Sequence, residues 1–331
     1  MTVSTSGPST SGVSGAVQTP ASAGSPKGGG ERQRHDPIAY VYLFPIVISA
    51  LLFTVVPFAI TLYYSFTNYG LLHFNVYERI GLDNYRHILE GGSEFFPVLG
   101  WTFGFMVLTT LINVGFGMML ALLLGNPNLP ERNLYRTLLI IPWALPFILL
   151  VQVFTGIFNN QGPVNQILNN IGLASVQWIP NFGDPTFARI ALLFVNLWFT
   201  YPFFMTVGLA ALAALPRDLY EVAELDGAGA WTKFRDITWP FLLSAVTPLI
   251  ITQAAFQFNN AGVIILFTNG LPAGTPGSDW GLTDTLASYA YDIFYSQRDY
   301  GLAGAYATVI FLFIALLLVV TSLTTRSFKE D

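Results

Sequence analysis

Residues 220–240 read YEVAELDGAGAWTKFRDITWP and carry six charged side chains, in a chain in which only 10% of the residues are charged. Of the 331 residues, 53% are hydrophobic, and the mean hydropathy is +0.55. A soluble domain usually has about a quarter charged residues. The composition therefore predicts an integral membrane protein, and it makes this charged stretch the segment that needs an explanation.

The remaining sequence is divided into long uncharged stretches. After residue 36, six stretches of at least 26 residues contain no Asp, Glu, Lys or Arg, and each can hold the roughly 20 residues that span a bilayer core as a helix. We predict an all-α integral membrane protein whose transmembrane domain covers residues 37–331. Its six helices are predicted at residues 40–66, 98–124, 135–158, 187–213, 241–267 and 302–325.

The first 36 residues have a different composition, because they are rich in Ser, Gly, Thr and Pro and contain no apolar run. Such a segment cannot bury enough surface to fold, so we predict a disordered tail. With this tail in the cytoplasm, ten of the fourteen Lys and Arg residues fall on the cytoplasmic side, as the positive-inside tendency requires. Both termini and residues 215–240, here called the charged loop, are therefore predicted to be cytoplasmic.

Several classes of site are not predicted. Cysteine is absent, and the three histidines, His35, His73 and His87, are scattered along the chain, so we predict no metal site. The net charge of −5 argues against a nucleic-acid partner. None of the three lysines precedes Ser or Thr in a Gly-rich context, so the chain has no P-loop for ATP.

The charged loop itself has a helical pattern. Residues 217–226 favour a helix, and Gly227 then supplies a position at which helices end. Trp231, Phe234 and Ile237 recur at helical spacing directly after it. An amphipathic helix bound to lipid headgroups is one interpretation, although such helices favour Lys and Arg and residues 218–226 are net acidic.

The spacing of Glu221, Ala223, Gly227, Ile237 and Pro240 resembles the signature of permeases of binding-protein-dependent ABC importers. In that signature Glu-Ala-Ala is followed after three residues by Gly, and after nine more by Ile-x-Leu-Pro. The chain departs from it where Val follows Glu221 and where Trp precedes Pro240.

The resemblance implies the type I ABC importer permease fold and a coupling helix that docks on a cytoplasmic ATPase. Glu221 would then meet a basic group of the ATPase, and Ala223 and Gly227 would permit close approach. No cofactor is expected in this chain, since ATP and Mg would bind to the ATPase. The implied partners are a second homologous permease, two copies of the ATPase and an extracytoplasmic sugar-binding protein.

Two predicted spans carry polar residues on one helix face. The spacing is i, i+3, i+4 and i+7 in both, which places each set on a single face. The sets are Asn196, Phe199, Thr200 and Phe203 in the fourth span, and Gln253, Phe256, Gln257 and Asn260 in the fifth. Amides hydrogen-bond hydroxyls and aromatic rings stack on sugar faces, so the pattern favours a neutral polyol ligand. Hydrogen bonding between helices is the alternative.

A narrower resemblance covers residues 40–331. The segments 196–204 (NLWFTYPFF), 253–271 (QAAFQFNNAGVIILFTNGL) and 300–308 (YGLAGAYAT) are similar to the larger membrane subunit of maltose and maltodextrin importers. The resemblance implies that the eight residues of the two polar faces line the sugar site. Departures from that subunit at four of these positions leave the identity of the sugar open.

Two other functions are weighed. An importer of the same family could carry another oligosaccharide or glycerol phosphate. An ion-coupled carrier that works alone usually needs an Asp, Glu or His within a span, and the six predicted spans contain none. We therefore predict a permease subunit of a maltodextrin-type importer in the cytoplasmic membrane that works by alternating access, not an enzyme.

Overall fold

The computed structural model describes residues 37–91 and 94–327, so the predicted tail at residues 1–36 lies outside the described residues. Within these ranges the chain is helical, and no β-strand forms apart from isolated bridges such as that between Thr67 and Arg79. The all-α prediction is confirmed.

The described residues form a series of α-helices along the chain. They are α1 (Pro37–Ala50), α2 (Val56–Tyr64), α3 (Asp83–Arg86), α4 (Phe95–Gly125), α5 (Arg132–Ala144), α6 (Phe147–Ile157), α7 (Pro163–Asn170), α8 (Thr186–Ala214), α9 (Asp218–Leu225), α10 (Ala230–Lys233), α11 (Trp239–Phe258), α12 (Gly262–Phe267), α13 (Leu286–Asp292) and α14 (Tyr300–Ser327). Single π-helical turns at Leu51–Val55, His87–Gly91, Phe234–Thr238 and Ile293–Gln297, and a 3₁₀ turn at Leu71–His73, join some of them.

The described residues divide into two units, the first ending at Phe53 and the second beginning at Thr54. In the first, the described backbone is α1 and the start of the π-helical turn that follows it, and the side chains of residues 41–53 are exposed. The second unit contains α2 to α14.

Five helical runs of the described chain are long and apolar enough to cross a membrane. They are Val41–Tyr64, Phe95–Gly125, Thr186–Ala214, Ala230–Phe258 and Tyr300–Leu323. The pair α5 and α6 forms a sixth candidate, with a bend of 94° between its two helices. The predicted count of about six spans is met when this bent pair is one span.

The third span, predicted at residues 135–158, is not one straight helix, because the chain turns sharply at residues 145 and 146. Leu145 is extended, with φ −84° and ψ 145°, and Pro146 follows it. Proline has no N–H to donate and disfavours the helical conformation of the preceding residue. The bend therefore follows from the position of Pro146.

The predicted fifth span at residues 241–267 is also interrupted, since α11 ends at Phe258 and α12 begins at Gly262. The backbone between them keeps hydrogen-bond partners: the Asn260 N–H donates to the Gln257 carbonyl at 3.2 Å, and the Asn260 carbonyl accepts from Thr285 Oγ1 at 3.3 Å. Broken helices occur at membrane depth where protein or a cavity surrounds the irregular backbone.

The helices α4 and α8 pack against each other more closely than ordinary side chains allow. A Cβ atom on Gly117 of α4 would lie 2.9 Å from both the Tyr201 carbonyl oxygen and the Met205 nitrogen of α8. One turn further along each helix, a Cβ atom on Gly208 would lie 2.6 Å from the Ala121 Cβ. Small residues at such a crossing let two backbones approach in a membrane, where packing replaces the hydrophobic effect as the driving force.

The loop between α12 and α13 is attached to this pair of helices. The Trp101 indole N–H of α4 donates to the Thr283 carbonyl at 3.1 Å. The Arg189 guanidinium of α8 donates to the Leu282 carbonyl at 2.7 Å and lies 4.1 Å from the centroid of the Trp101 ring. Contacts from both helices therefore fix residues 282 and 283.

Asp284 in the same loop is a buried carboxylate. It accepts hydrogen bonds from the Gly281 N–H and the Ser288 hydroxyl, both at 2.8 Å. Burial raises the pKa of Asp284 to about 6, from 3.8 in an exposed carboxyl, and the two hydrogen bonds reduce the rise. The charged form is thus disfavoured where the loop is folded.

We expect Gly117→Ala to destabilise the fold by about 1–3 kcal/mol, because the new methyl group would overpack the contact with α8. Gly115→Ala is the matched control, since a Cβ atom there meets nothing within 4 Å. In both variants alanine favours the helix by up to about 1 kcal/mol. Thermal unfolding of the detergent-solubilised protein would measure the difference, and equal midpoints for the two variants would contradict the close packing.

Asp284 should make stability depend on pH. The folded protein holds this proton more tightly than the unfolded chain, so its stabilising contribution is complete below pH 3.8 and is lost as the pH rises through about 6. A shift of this size corresponds to about 3 kcal/mol. Asp284→Asn should make the thermal midpoint nearly independent of pH between pH 5 and pH 8. Asp279→Asn, in an exposed part of the same loop, should keep the wild-type profile.

Candidate functional site

A pocket of about 710 Å³ lies where the bend of α5 and α6, the middle of α8 and the break between α11 and α12 meet. Its walls are aromatic, aliphatic and amide side chains. The lining residues are Pro142, Trp143, Leu145, Phe147, Phe199, Thr200, Phe203, Gln253, Phe256, Asn259, Asn260, Ala261 and Gly262. None of these thirteen residues is charged.

Aromatic rings form two edge-to-face pairs across this pocket. The ring centroids of Phe147 and Phe199 are 4.9 Å apart with an interplanar angle of 79°, and those of Trp143 and Phe203 are 6.1 Å apart at 62°. Each pair joins the bent span to α8. The ring of Phe256 is 62% exposed, so it is free to contact a ligand.

Four buried amides form a hydrogen-bonded chain behind the pocket, here called the amide ladder: Asn113 of α4, Asn196 of α8, Gln257 of α11 and Asn260. The Asn113 Nδ2 donates to the Asn196 Oδ1 at 3.0 Å. The Asn196 Nδ2 donates to the Gln257 Oε1 at 3.1 Å, and the Gln257 Nε2 donates back to the Asn196 Oδ1 at 3.2 Å. The Asn260 Nδ2 donates to the Gln257 Oε1 at 2.9 Å. The ladder therefore ties three helices to the pocket.

The structure brings the two predicted polar faces together, but with different exposures. Six of the eight predicted residues line the pocket: Phe199, Thr200, Phe203, Gln253, Phe256 and Asn260. Asn196 and Gln257 are fully buried and bonded to each other, so they lie behind the pocket wall. For these two amides the sequence alternative of hydrogen bonding between helices describes the observed contacts.

Two parts of the site were missed at the level of the sequence. The bend residues Pro142, Trp143 and Phe147 line the pocket, and the closely spaced Pro142 and Pro146 were the available signal. Asn113 was missed as well, although a polar side chain in the middle of an uncharged span is costly and asks for a partner.

The charged loop begins with α9, which ends in a Schellman motif. Gly227 has φ +76°, its N–H donates to the Glu224 carbonyl at 3.0 Å, and the Ala228 N–H donates to the Ala223 carbonyl at 2.8 Å. A residue with a side chain is strained at this positive φ, which is why glycine occupies the position after the helix.

The loop is held folded by contacts between its two halves. Lys233 Nζ lies 2.7 Å from Glu224 Oε1, and this contact lowers the pKa of Glu224. The hydroxyls of Tyr220 and Thr238 are 2.7 Å apart. The second half continues without interruption into α11, as one helical run over Ala230–Phe258. One helical run thus connects the loop to the pocket.

The three residues predicted to dock an ATPase lie on this loop at its surface. Glu221 and Gly227 are exposed, and Ala223 is half-buried. Leu225 and Trp231 beside them are 88% and 70% exposed. Large exposed apolar side chains rimmed by charge are typical of protein interaction sites. At the level of the sequence, Trp231 was named only as part of a helical pattern, and Leu225 was not named.

Together the fold and the site define a multi-pass helical membrane protein with an uncharged polar pocket inside its helical bundle. A family model described as the inner membrane component of binding-protein-dependent transport systems matches residues 113–329, more than half of the chain. The chain belongs to this family of inner-membrane transport components, and the resemblance carried by the charged loop is confirmed.

Relatives of known function are similar over most of the chain. It is 40% identical over 258 residues to the maltose/maltodextrin transport system permease protein MalF of Klebsiella aerogenes. These aligned residues cover 75% of this chain and 49% of that protein. It is 34% identical over 302 residues to the galactooligosaccharides transport system permease protein GanP of Bacillus subtilis, covering 87% and 71%. The chain spans about half the length of the maltose/maltodextrin permeases it matches.

Solved structures share the fold. A bacterial ABC transporter involved in the import of the acidic polysaccharide alginate matches with a TM-score of 0.74 and 21% identity, over 88% of this chain and 95% of that chain. With the family match, this likeness confirms the predicted type I ABC importer permease fold.

Proposed function

We propose that this chain is the permease subunit of an ATP-driven importer that moves a neutral, maltodextrin-like oligosaccharide across the cytoplasmic membrane. The observation that carries the proposal is the uncharged pocket of aromatic rings and amides at the break in α11, joined by that helix to an exposed charged loop. The two relatives named above, which are permeases for maltose/maltodextrin and for galactooligosaccharides, support it.

The chemistry of the pocket favours a neutral sugar over an anionic solute. Rings such as Phe199 and Phe256 can stack on the apolar face of a pyranose, and Thr200, Gln253 and Asn260 offer donors and acceptors to its hydroxyls. A phosphate or carboxylate calls for Arg or Lys, and none lines the pocket. In this proposal Asn196 and Gln257 act from behind the wall, as supports for Asn260.

The assembly that we propose supplies what this chain lacks. A second, homologous permease would complete the pathway, two copies of an ATPase would dock at Glu221, Ala223 and Gly227, and an extracytoplasmic protein would deliver the sugar. The sequence contains no P-loop, so ATP and Mg would bind to the ATPase.

Alternating access would follow from the geometry of α11. Closure of the ATPase dimer on ATP would displace the charged loop, whose halves are held together by the Lys233–Glu224 ion pair. Because one helical run joins Ala230 to Phe258, the displacement would reach Gln257 and the break next to it. The packed helices would then change between two arrangements, as rigid elements do in switching proteins.

A sugar of the galactooligosaccharide type is the second candidate, because GanP matches a larger share of this chain and of its own length than MalF does. The distinction lies in the substrate, since both proteins are described as transport system permeases. The same assay tests both candidates.

The proposal is tested by uptake into liposomes that contain the complex copurified with this chain. We expect ATP-dependent uptake of maltotriose, with little competition from galactotriose and none from glycerol 3-phosphate. Phe256→Ala should raise the KM about tenfold, as expected for loss of one stacking contact. Phe96→Ala is the control, because Phe96 is 61% exposed and does not line the pocket. Uptake of maltotriose without an ATPase, or uptake of galactotriose alone, would contradict the maltodextrin assignment.

The charged loop has its own test. The double variant Glu221→Ala, Gly227→Ala should lose sugar uptake while ATP hydrolysis persists. The first change removes the docking carboxylate. The second places a side chain on a residue with positive φ, which costs about 1–2 kcal/mol. Gly229→Ala is the control, because Gly229 has φ −70° and a Cβ atom there meets nothing. Normal uptake by the double variant would show that the loop does not couple the two activities.

A further inference from the structure

Asn113 lies outside the pocket, yet it is the far end of the amide ladder. Its side chain is fully buried in α4, and its only described hydrogen bond is the one that its Nδ2 donates to the Asn196 Oδ1. Its own Oδ1 is buried and has no partner among the described residues. The contribution of Asn113 to the ladder is therefore one donor group.

Each amide of the ladder presents a donor to its neighbour's acceptor, and Asn196 and Gln257 exchange one bond in each direction. The Asn196 Oδ1 accepts from both Asn113 and Gln257, and the Gln257 Oε1 accepts from both Asn196 and Asn260. Turning any one amide by 180° would set two oxygens or two NH₂ groups against each other. The four amides can therefore turn only together, and the orientation of the first restricts that of the last.

The orientation decides what Asn260 offers to a ligand. Asn260 lines the pocket and uses its Nδ2 to donate to Gln257, whereas no described hydrogen bond uses its Oδ1. The carbonyl oxygen of Asn260 is thus left as an acceptor for a hydroxyl group. If the ladder turned over, Asn260 would use its oxygen inward and present its NH₂ group instead.

We propose that Asn113 is a positioning residue for substrate binding: its single donor holds the amide ladder in the orientation that leaves the Asn260 Oδ1 available to a sugar hydroxyl. The inference rests on the proposed function, which it deepens by adding a residue that never touches the sugar. Buried amide networks are rigid when their members are paired. The orientation of Asn113 can therefore be transmitted through Asn196 and Gln257 to Asn260.

A positioning role and a purely structural role predict different effects of a substitution at position 113 on sugar binding and on stability. A leucine at position 113 would remove the unpaired buried oxygen and leave the Asn196 Oδ1 with its bond from Gln257. Replacing a polar group whose partner keeps another hydrogen bond by an apolar group of similar size is close to neutral for stability. Asn113→Leu should therefore weaken sugar binding without lowering the thermal midpoint.

The test is a double-mutant cycle in the reconstituted complex, with maltotriose as the probe and the KM for uptake as the readout. We expect Asn113→Leu to raise the KM about five- to tenfold, the loss of one oriented hydrogen bond, with kcat changed less than twofold. In the Asn260→Leu background the same change should have no further effect. Thr110→Val is the matched control, because Thr110 is buried on the same face of α4 and its hydroxyl has no hydrogen-bond partner among the described residues. The KM of this variant should equal that of the wild type.

Three outcomes would overturn the inference. An unchanged KM in Asn113→Leu, in a complex whose wild type imports maltotriose, would show that Asn113 does not act on the site. An equal rise in KM with and without Asn260→Leu would show that it acts independently of Asn260. A lower thermal midpoint that accounts for the loss of uptake would assign Asn113 a structural role. If the wild type imports none of the three solutes named above, the proposed function fails first and this inference fails with it.

Discussion

The backbones of α4 and α8 meet so closely at Gly117 that a single methyl group there would collide with the Tyr201 carbonyl and the Met205 nitrogen. The amide ladder depends on this contact. Asn113 lies one helical turn before Gly117, and the short Asn113 and Asn196 side chains reach each other, at 3.0 Å, because the two helices are so near. Gln257 then attaches α11 to the same pair. A wider crossing would leave these amides unpaired inside the bundle, where an unsatisfied polar group costs about 1–3 kcal/mol.

The distribution of charge follows the same physical constraint. Taking an ionised group into lipid is expensive, and the polar chemistry of the pocket and the amide ladder is carried by uncharged amides and hydroxyls. Six of the charged residues fall within residues 220–240. The two regions are nevertheless mechanically connected, because the helical run that begins at Ala230 in the charged loop ends at Phe258, beside Gln257 and the pocket.

Interruptions of helices, and not only the helices themselves, build the site. Pro146 turns the third span through 94° and brings Trp143 and Phe147 to the pocket, while the break after Phe258 brings in Asn259 and Asn260. Irregular backbone is tolerated inside a membrane protein when its polar groups find partners, and Thr285 supplies one to the Asn260 carbonyl. The hydrogen bonds of Trp101 and Arg189 to the loop that contains Thr283 hold this supporting segment on α4 and α8.

The sequence by itself determined the class of the fold, a count of about six spans and the family. Long uncharged apolar stretches predict membrane helices, and the spacing of Glu221, Ala223, Gly227, Ile237 and Pro240 is fixed along the chain. Helical periodicity also placed the two polar faces, because it depends only on residues three and four apart. The tertiary structure alone decided which of these residues are exposed: Asn196 and Gln257 bond to each other, while Asn260 lines the pocket. It alone revealed Asn113, and it determined how the four amides of the ladder are oriented relative to one another. These features depend on distances between residues up to 83 positions apart in sequence, which are set by how closely helices pack and not by any local pattern.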